Sequence, residues 1–151
     1  MNEPLNVRIQ ELSPVRVAML EINVGGMVGR YQGAIGAKFL EVEGWIKSRG
    51  IHDDHLRRIG VPFNEGTELS HYWCCIEVPE GVMGHGPVEV RELAGGRYAV
   101  LTLQKNAATI GDTIDRFYSE YAPSKGLTLD NSRPPMEIYY RDTVEYCAPV
   151  V

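Results

Sequence analysis

The stretch "VRIQELSPVRVAML", Val7 to Leu20, is written a second time as "VEVRELAGGRYAVL", Val88 to Leu101. Val7 aligns with Val88, Glu11 with Glu92, Leu12 with Leu93, Arg16 with Arg97, Ala18 with Ala99 and Leu20 with Leu101. Both copies alternate apolar and polar residues, pause at Ser13-Pro14 or Gly95-Gly96, and then resume the alternation. A period of two reads as a strand, and the pause reads as a break or bulge in it.

The likeness continues outward. Ile35, Phe39, Val42 and Ile46 recur at i, i+4, i+7 and i+11, and Ile110, Ile114, Phe117 and Tyr121 repeat those intervals. Such spacing lays one apolar stripe along a helix, suited to packing on a sheet. Thr109 and Asp112 offer capping chemistry for the second helix, and Gly50 and Gly126 stand where each helix should stop. A Pro-marked segment follows each helix, "GVPFNE" and "RPPMEI", aligned so that Val61-Pro62-Phe63-Asn64 lies opposite Pro134-Pro135-Met136-Glu137. "HYWCCIEV" closes the first half and "VEYCAPVV" the second.

The order strand, helix, strand, strand therefore occurs twice, in half-repeats of residues 5–78 and 88–151 joined by the connector 79–87. One domain over residues 1–151 is expected. Its class is α/β (α+β): a pseudo-symmetric duplication with a mixed, mainly antiparallel sheet and two helices on one face. Ala18, Leu20, Ile22, Ala99, Leu101 and Leu103 are expected to face the helices, together with Tyr72, Cys74, Ile76 and Val78. Val17, Met19, Tyr98 and Val100 are expected to face away, with His71, Trp73 and Cys75. By two-residue alternation Glu137 and Tyr139 join that second face, while Met136, Ile138 and Tyr140 join the core. An apolar sheet face without helices over it is an interface or a pocket wall.

Composition bounds the function. Formal charge is −5, with acids and bases dispersed, which argues against a nucleic-acid surface. No secretory leader and no apolar run of bilayer length is visible, so neither export nor a membrane partner is expected. Three cysteines, Cys74, Cys75 and Cys147, with two adjacent, make a poor disulfide framework and fit a reducing cytoplasm. "HDDH", His52 to His55, sits past a helix end with no further ligand cluster, so no metal is expected. "NVGGMVGRYQG", residues 23–33, lacks the ending of a phosphate loop and reads as a connection, with a lid over a groove as the functional alternative. No cofactor is expected, and no serine sits on the strained turn of a hydrolase.

"RYAVLTLQ" after "VEVREL", the helix ending in "SKGL", and "RPPMEIYYRD" together resemble the GyrI-like small-molecule-binding domains, also called AraC-type effector-binding domains. The likeness covers nearly the whole chain. It implies a ligand groove at the junction of two halves and a central glutamate that meets lipophilic cations, a role carried here onto Glu137 within Pro135-Met136-Glu137-Ile138-Tyr139. Many relatives carry a helix-turn-helix domain; the duplicated unit leaves no room for one in this sequence, so direct transcriptional control is not expected. Trp73 stands where relatives often have a smaller or polar residue.

The expected ligand is thus an amphipathic, drug-like organic cation, held by Glu137 with Tyr139, Tyr98, Trp73, Phe63, Met19, Val17 and Val100 as the surround. The competing structural reading pairs Glu137 with Arg141 or Arg97. The resemblance also implies two alternatives. In one, the groove hydrolyses cyclopropane-containing toxins, with Glu137 and Tyr98 as the catalytic pair. In the other, the sheet face binds a protein such as gyrase. Partners in the first reading are the ligand and either a transcription regulator or a second copy of the chain.

Overall fold

The computed structural model describes residues 5–25, 31–51, 55–65, 68–105 and 107–151. Eight strands form: β1 (Val7–Leu12), β2 (Val15–Asn23), β3 (Arg58–Glu65), β4 (Glu68–Glu77), β5 (Glu89–Leu93), β6 (Gly96–Gln104), β7 (Met136–Tyr139) and β8 (Thr143–Pro149). Between β2 and β3 runs α1 (Tyr31–Ser48). Between β6 and β7 run α2 (Ala107–Arg116), a π-helical turn (Phe117–Tyr121) and a last α turn, α3 (Ala122–Ser124). The class is α+β, as the periodicity indicates.

The chain divides into two compact units, one made of the segment up to Ser13 with Gly95–Val151, the other of Pro14–Ala94. In the first unit the strands lie in the order β1-β6-β8-β7, and in the second β3-β4-β2-β5. Every one of these pairs is antiparallel. The pause is therefore a break and not a bulge: Ser13-Pro14 lies between two strands, and in the second copy Ala94-Gly95 does, one residue before the Gly95-Gly96 expected. Each long strand foreseen in the repeat is two strands, and its two parts serve different units: β1 pairs with β6, and β5 pairs with β2.

Both helices end alike. Gly50 and Gly126 take φ of 77° and 66°, a region open to glycine at little cost. Around each, the amide of the next residue returns to a carbonyl of the last turn: Ile51 to Ile46 and Leu127 to Ala122. This is the Schellman pattern. At the other end α2 begins at Ala107, so Thr109 lies inside the helix and is not its cap.

The helix-facing cores match the repeat. In the second unit the Cys74 thiol meets the Ile35 carbonyl of α1 at 3.6 Å, and Arg58 pairs with Glu43 of the same helix. Cross-strand partners share a face, so Ala18, Leu20, Ile22, Tyr72, Cys74 and Ile76 all point toward α1. In the first unit Ala99, Leu101, Leu103, Val144, Tyr146 and Ala148 bury against Phe117 and Ala122, with Ile110, Ile114, Tyr118 and Tyr121 beside them. No described helix is long and apolar enough to cross a membrane.

Candidate functional site: a carboxylate among tyrosines

Register decides where Glu137 points. Glu137 pairs with Tyr146 on β8, Tyr146 with Leu101 on β6, and Leu101 with Val7 on β1. Tyr139 pairs with Val144, and Val144 with Leu103. These are the residues beneath α2, so Glu137 and Tyr139 lie on the helix-facing side of the first unit's sheet. The expectation that they face away from the helix is overturned. Alternation says which residues of one strand share a face; only pairing with a neighbour says which face that is.

Met136 and Ile138 consequently turn the other way, with Cys147 and Val100. Both are buried, as expected, though on the opposite side. Tyr140 is 39% exposed and lies beyond the end of β7, so it is not a core residue. Arg141 sits with it in the exposed turn before β8 rather than on the strand face. Among the described residues no ion pair joins Glu137 to Arg141 or Arg97.

Around Glu137 the helix side is tyrosine-rich. The Tyr139 hydroxyl donates to Glu137 Oε1 at 3.2 Å. Tyr146, beside Glu137 across the β7–β8 pair, shares a hydroxyl–hydroxyl bond of 2.8 Å with Tyr118 of the π-helical turn. Their rings meet edge to face, 6.1 Å apart at 88°. Phe117 backs the group, edge-on to Tyr118 and stacked with Tyr121. Burial pushes the Tyr118 phenol above its usual range. Burial does the same to Tyr146, reinforced by Tyr118 and by the nearby Glu137 charge. Tyr118 and Tyr146 are the members that alternation of single segments did not single out.

Tyr98 and Val100 belong to the opposite face of the same sheet and are fully buried. The Arg133 guanidinium lies 4.6 Å from the Tyr98 ring centroid and also donates to the carbonyls of Gly95, Arg97 and Val150. Tyr98 is thus a packing residue under an arginine and does not share a face with Glu137. Glu137 and Tyr98 as a catalytic pair are separated by the sheet.

Val17, Met19 and Trp73 belong to the second unit, on its sheet face away from α1, as expected, and Phe63, paired with His71, shares that face. Val17 and Met19 are buried. Phe63 and Trp73 are partly exposed, and Phe63 stacks on His71 at 4.8 Å. The Trp73 indole donates to Glu21 at 2.7 Å, with Arg91 over its ring at 5.2 Å. Met27, most of the proposed lid, and His52–Asp54 of the "HDDH" segment lie outside the described residues.

No curated protein matches the chain. Solved structures do. The EcmrR chain of a cryo-EM EcmrR–DNA complex superposes with a TM-score of 0.72 at 10% identity, covering 96% of this chain and 57% of that one. A hydrolase from Listeria innocua gives 0.66 at 13%, covering 97% and 92%. SAV2435 bound to tetraphenylphosphonium gives 0.62 at 15%, covering 97% and 94%. This chain spans little more than half of the EcmrR chain, and at these identities the likeness is one of fold. The model of the GyrI-like small molecule binding domain matches residues 5–150, and the chain belongs to that family.

Proposed function

We propose that this chain is a cytoplasmic binding module for amphipathic organic cations, with Glu137 as countercharge and Tyr118, Tyr139 and Tyr146 as the aromatic surround. One observation carries the reading: a carboxylate on the helix-facing, apolar side of a sheet, hydrogen-bonded by Tyr139 and flanked by Tyr146. Such a half-buried carboxylate has lost part of its hydration, and a diffuse cation returns countercharge with little desolvation cost of its own. Aromatic faces add about 0.5–2 kcal/mol per favourable cation–π contact. Tyr118 and Tyr146 are held protonated and add no charge, so one carboxylate suits one positive charge. The tetraphenylphosphonium carried by SAV2435 supports the same ligand class.

The test is a titration of the purified protein with tetraphenylphosphonium and with neutral triphenylphosphine oxide. Micromolar binding of the cation is expected, about −8 kcal/mol. Glu137→Gln should weaken the cation tenfold or more, about 1.4 kcal/mol, and spare the neutral compound. Equal weakening of both compounds removes the countercharge argument.

A second reading draws on the Listeria innocua hydrolase and the Tyr139–Glu137 hydrogen bond. Here Glu137 is the general base that takes a proton from a water attacking a strained ring and returns it to the ring carbon released, with Tyr139 as its orienting partner in place of the Tyr98 first expected. Turnover of a cyclopropane-containing substrate, abolished in Glu137→Gln, is the result that selects it.

A further inference from the structure

We propose that the π-helical turn Phe117–Tyr121 is a one-residue insertion that makes the Glu137 site selective for cations, by carrying Tyr118 onto Tyr146. The inference rests on the cation-binding reading of Glu137 and adds to it a device that sets selectivity.

The insertion is visible by counting. Ile35 and its capping glycine, Gly50, are 15 positions apart, whereas Ile110 and Gly126 are 16 apart. Counted from the start of the stripe, Ile46 matches Tyr121; counted back from the Schellman cap, Ile46 matches Ala122. The extra residue lies between those two registers, where the Ala122 amide bonds to the Phe117 carbonyl five residues back. In the second unit α1 runs unbroken from Tyr31 to Ser48. A π turn is wider than an α turn and is found most often as a single such bulge at functional positions. Here the wider turn lets Phe117, Tyr118, Tyr121 and Ala122 all pack toward the sheet core.

What the insertion achieves is the Tyr118–Tyr146 hydroxyl pair at 2.8 Å. A buried phenol left without a partner carries a desolvation penalty and turns to the nearest acceptor. Glu137 is the cross-strand neighbour of Tyr146 and near enough for its charge to raise the Tyr146 phenol, which makes it the alternative acceptor in this proposal. With Tyr118 in place, Tyr146 is satisfied elsewhere. Without it, the Tyr146 hydroxyl is released to turn toward Glu137, where a second phenol beside the Tyr139 bond would compete with a cationic guest. A neutral guest, which does not use the carboxylate's charge, is unaffected.

The experiment deletes Ser119, an exposed residue of the turn, and compares it with Tyr118→Phe, Glu137→Gln and the deletion combined with Tyr118→Phe. The readout is the ratio of tetraphenylphosphonium to triphenylphosphine oxide affinity, in variants shown by circular dichroism to melt cooperatively. The deletion and Tyr118→Phe should each lower the ratio about fivefold, and combining them should lower it no further. A folded deletion variant with the wild-type ratio, while Glu137→Gln loses it, overturns this inference and leaves the carboxylate reading intact. An unchanged ratio in Glu137→Gln overturns the carboxylate reading itself. If the deletion variant does not fold, exchange of the Ala122 amide decides in the wild type. Saturating tetraphenylphosphonium should slow it severalfold, and unchanged exchange overturns the inference.

Discussion

Two rows of residues, one across the strands of each unit, occupy corresponding places in the duplicated fold and are filled in opposite ways. In the first unit the row is Val7, Leu101, Tyr146, Glu137; in the second, Leu20, Cys74 and Gly60 take the matching places, with Val88 aligned to Val7 by the repeat. Glu137 therefore corresponds to Gly60, four residues away from the Asn64 that aligning the Pro-marked segments suggests. Tyr72 fills the space above Gly60: a Cβ built there would meet the Tyr72 hydroxyl oxygen at 1.6 Å and ring carbon Cζ at 2.4 Å. One copy of the row is thus plugged by a ring that needs a glycine beneath it. Its counterpart carries an acid and a cluster of phenols. Duplication supplies two equal scaffolds, and the volume at one position decides which of them can hold a polar site.

The sharpest way to break this contrast is Gly60→Ala. Tyr72 is buried, so its ring has no free direction in which to retreat. Overpacking of this kind costs typically 1–3 kcal/mol, and a Cβ this deep inside a ring should sit at about 3 kcal/mol. That lowers the melting midpoint by roughly 6–12 °C at this chain length. Tyr72→Ala alone opens a cavity and costs about as much. The double variant should be more stable than the sum of the two by over about 1 kcal/mol, because each change relieves the other. Strict additivity in thermal or urea unfolding would mean that Tyr72 does not stand on Gly60.

Much of this arrangement was readable from the residues. The repeat, both helix stripes and both capping glycines follow from period and punctuation, which are local properties of the chain. Glu137 stood out because it is an acid in an otherwise apolar run. Its face did not follow, since "MEIYY" has large apolar groups at both parities and says nothing about which parity meets a helix. Tyr146 sat in plain alternation with Val144 and Ala148, and joining that strand to β7 was the missing step. Tyr118 adjoins the helix stripe, and the signal that could have found it was the extra residue between Ile110 and Gly126. Tyr98 does lie on the face away from the helices, as its alternation indicates; Glu137 is the residue on the other side, and the cover over Tyr98, Arg133, comes from a loop that no periodicity describes.

Alkaline pH separates the two units next. Burial pushes the Cys74 thiol up to about 12 and raises Cys75 further, from an ordinary value of 9.0. In the first unit burial raises Tyr118 and Tyr146 from 10.0. A group whose folded pKa is raised keeps its proton in the fold while the unfolded chain releases it. Stability is therefore full below the unfolded value and falls as pH rises past it. Cys74 and Cys75 should weaken the second unit from about pH 9, and Tyr118 and Tyr146 the first above about pH 10, each group contributing at most about 1.4 kcal/mol per pH unit. Both tryptophans, Trp45 and Trp73, lie in the second unit, so indole fluorescence follows its unfolding. Cys74→Ala should lessen the slope of the pH 9–10 part of that curve, with Cys75 supplying what remains. An unchanged slope would show that the thiol is not held protonated by burial.

Smaller in size is the loss of one hydroxyl. Tyr146→Phe removes the bond to Tyr118 and leaves the Tyr118 hydroxyl, which is partly buried, in search of a partner. A neutral hydrogen bond of this kind contributes about 1 kcal/mol. Urea unfolding should register that amount with the m-value unchanged. A change near zero would mean that Tyr118 re-bonds within the cluster.

The smallest effect belongs to the helix position that matches Tyr118 in phase, which is Glu43 of α1. Where the first unit sends a phenol into its core, the second sends a carboxylate to the rim, paired with Lys47 at 3.0 Å and with Arg58. The hydrogen bond from Lys47 leads the influences that hold Glu43 below its ordinary value, with Arg58 and the Lys47 charge adding to it and burial opposing. A lowered carboxylate stabilises the fold above its unfolded pKa of about 4.5 and loses that contribution as pH falls through its folded value. All three side chains are substantially exposed, and exposed pairs contribute about 0–1 kcal/mol. Glu43→Gln should therefore cost under about 1 kcal/mol at pH 7, nothing near pH 3, and less in high salt, while leaving ligand selectivity untouched. Tyr118→Phe, at the matching position, should show the reverse: a stability change that ignores salt and acid, and a selectivity that does not survive. If Glu43→Gln altered the cation-to-neutral ratio as Tyr118→Phe does, the two copies would share one site in function, and assigning the ligand to the tyrosine row alone would fail.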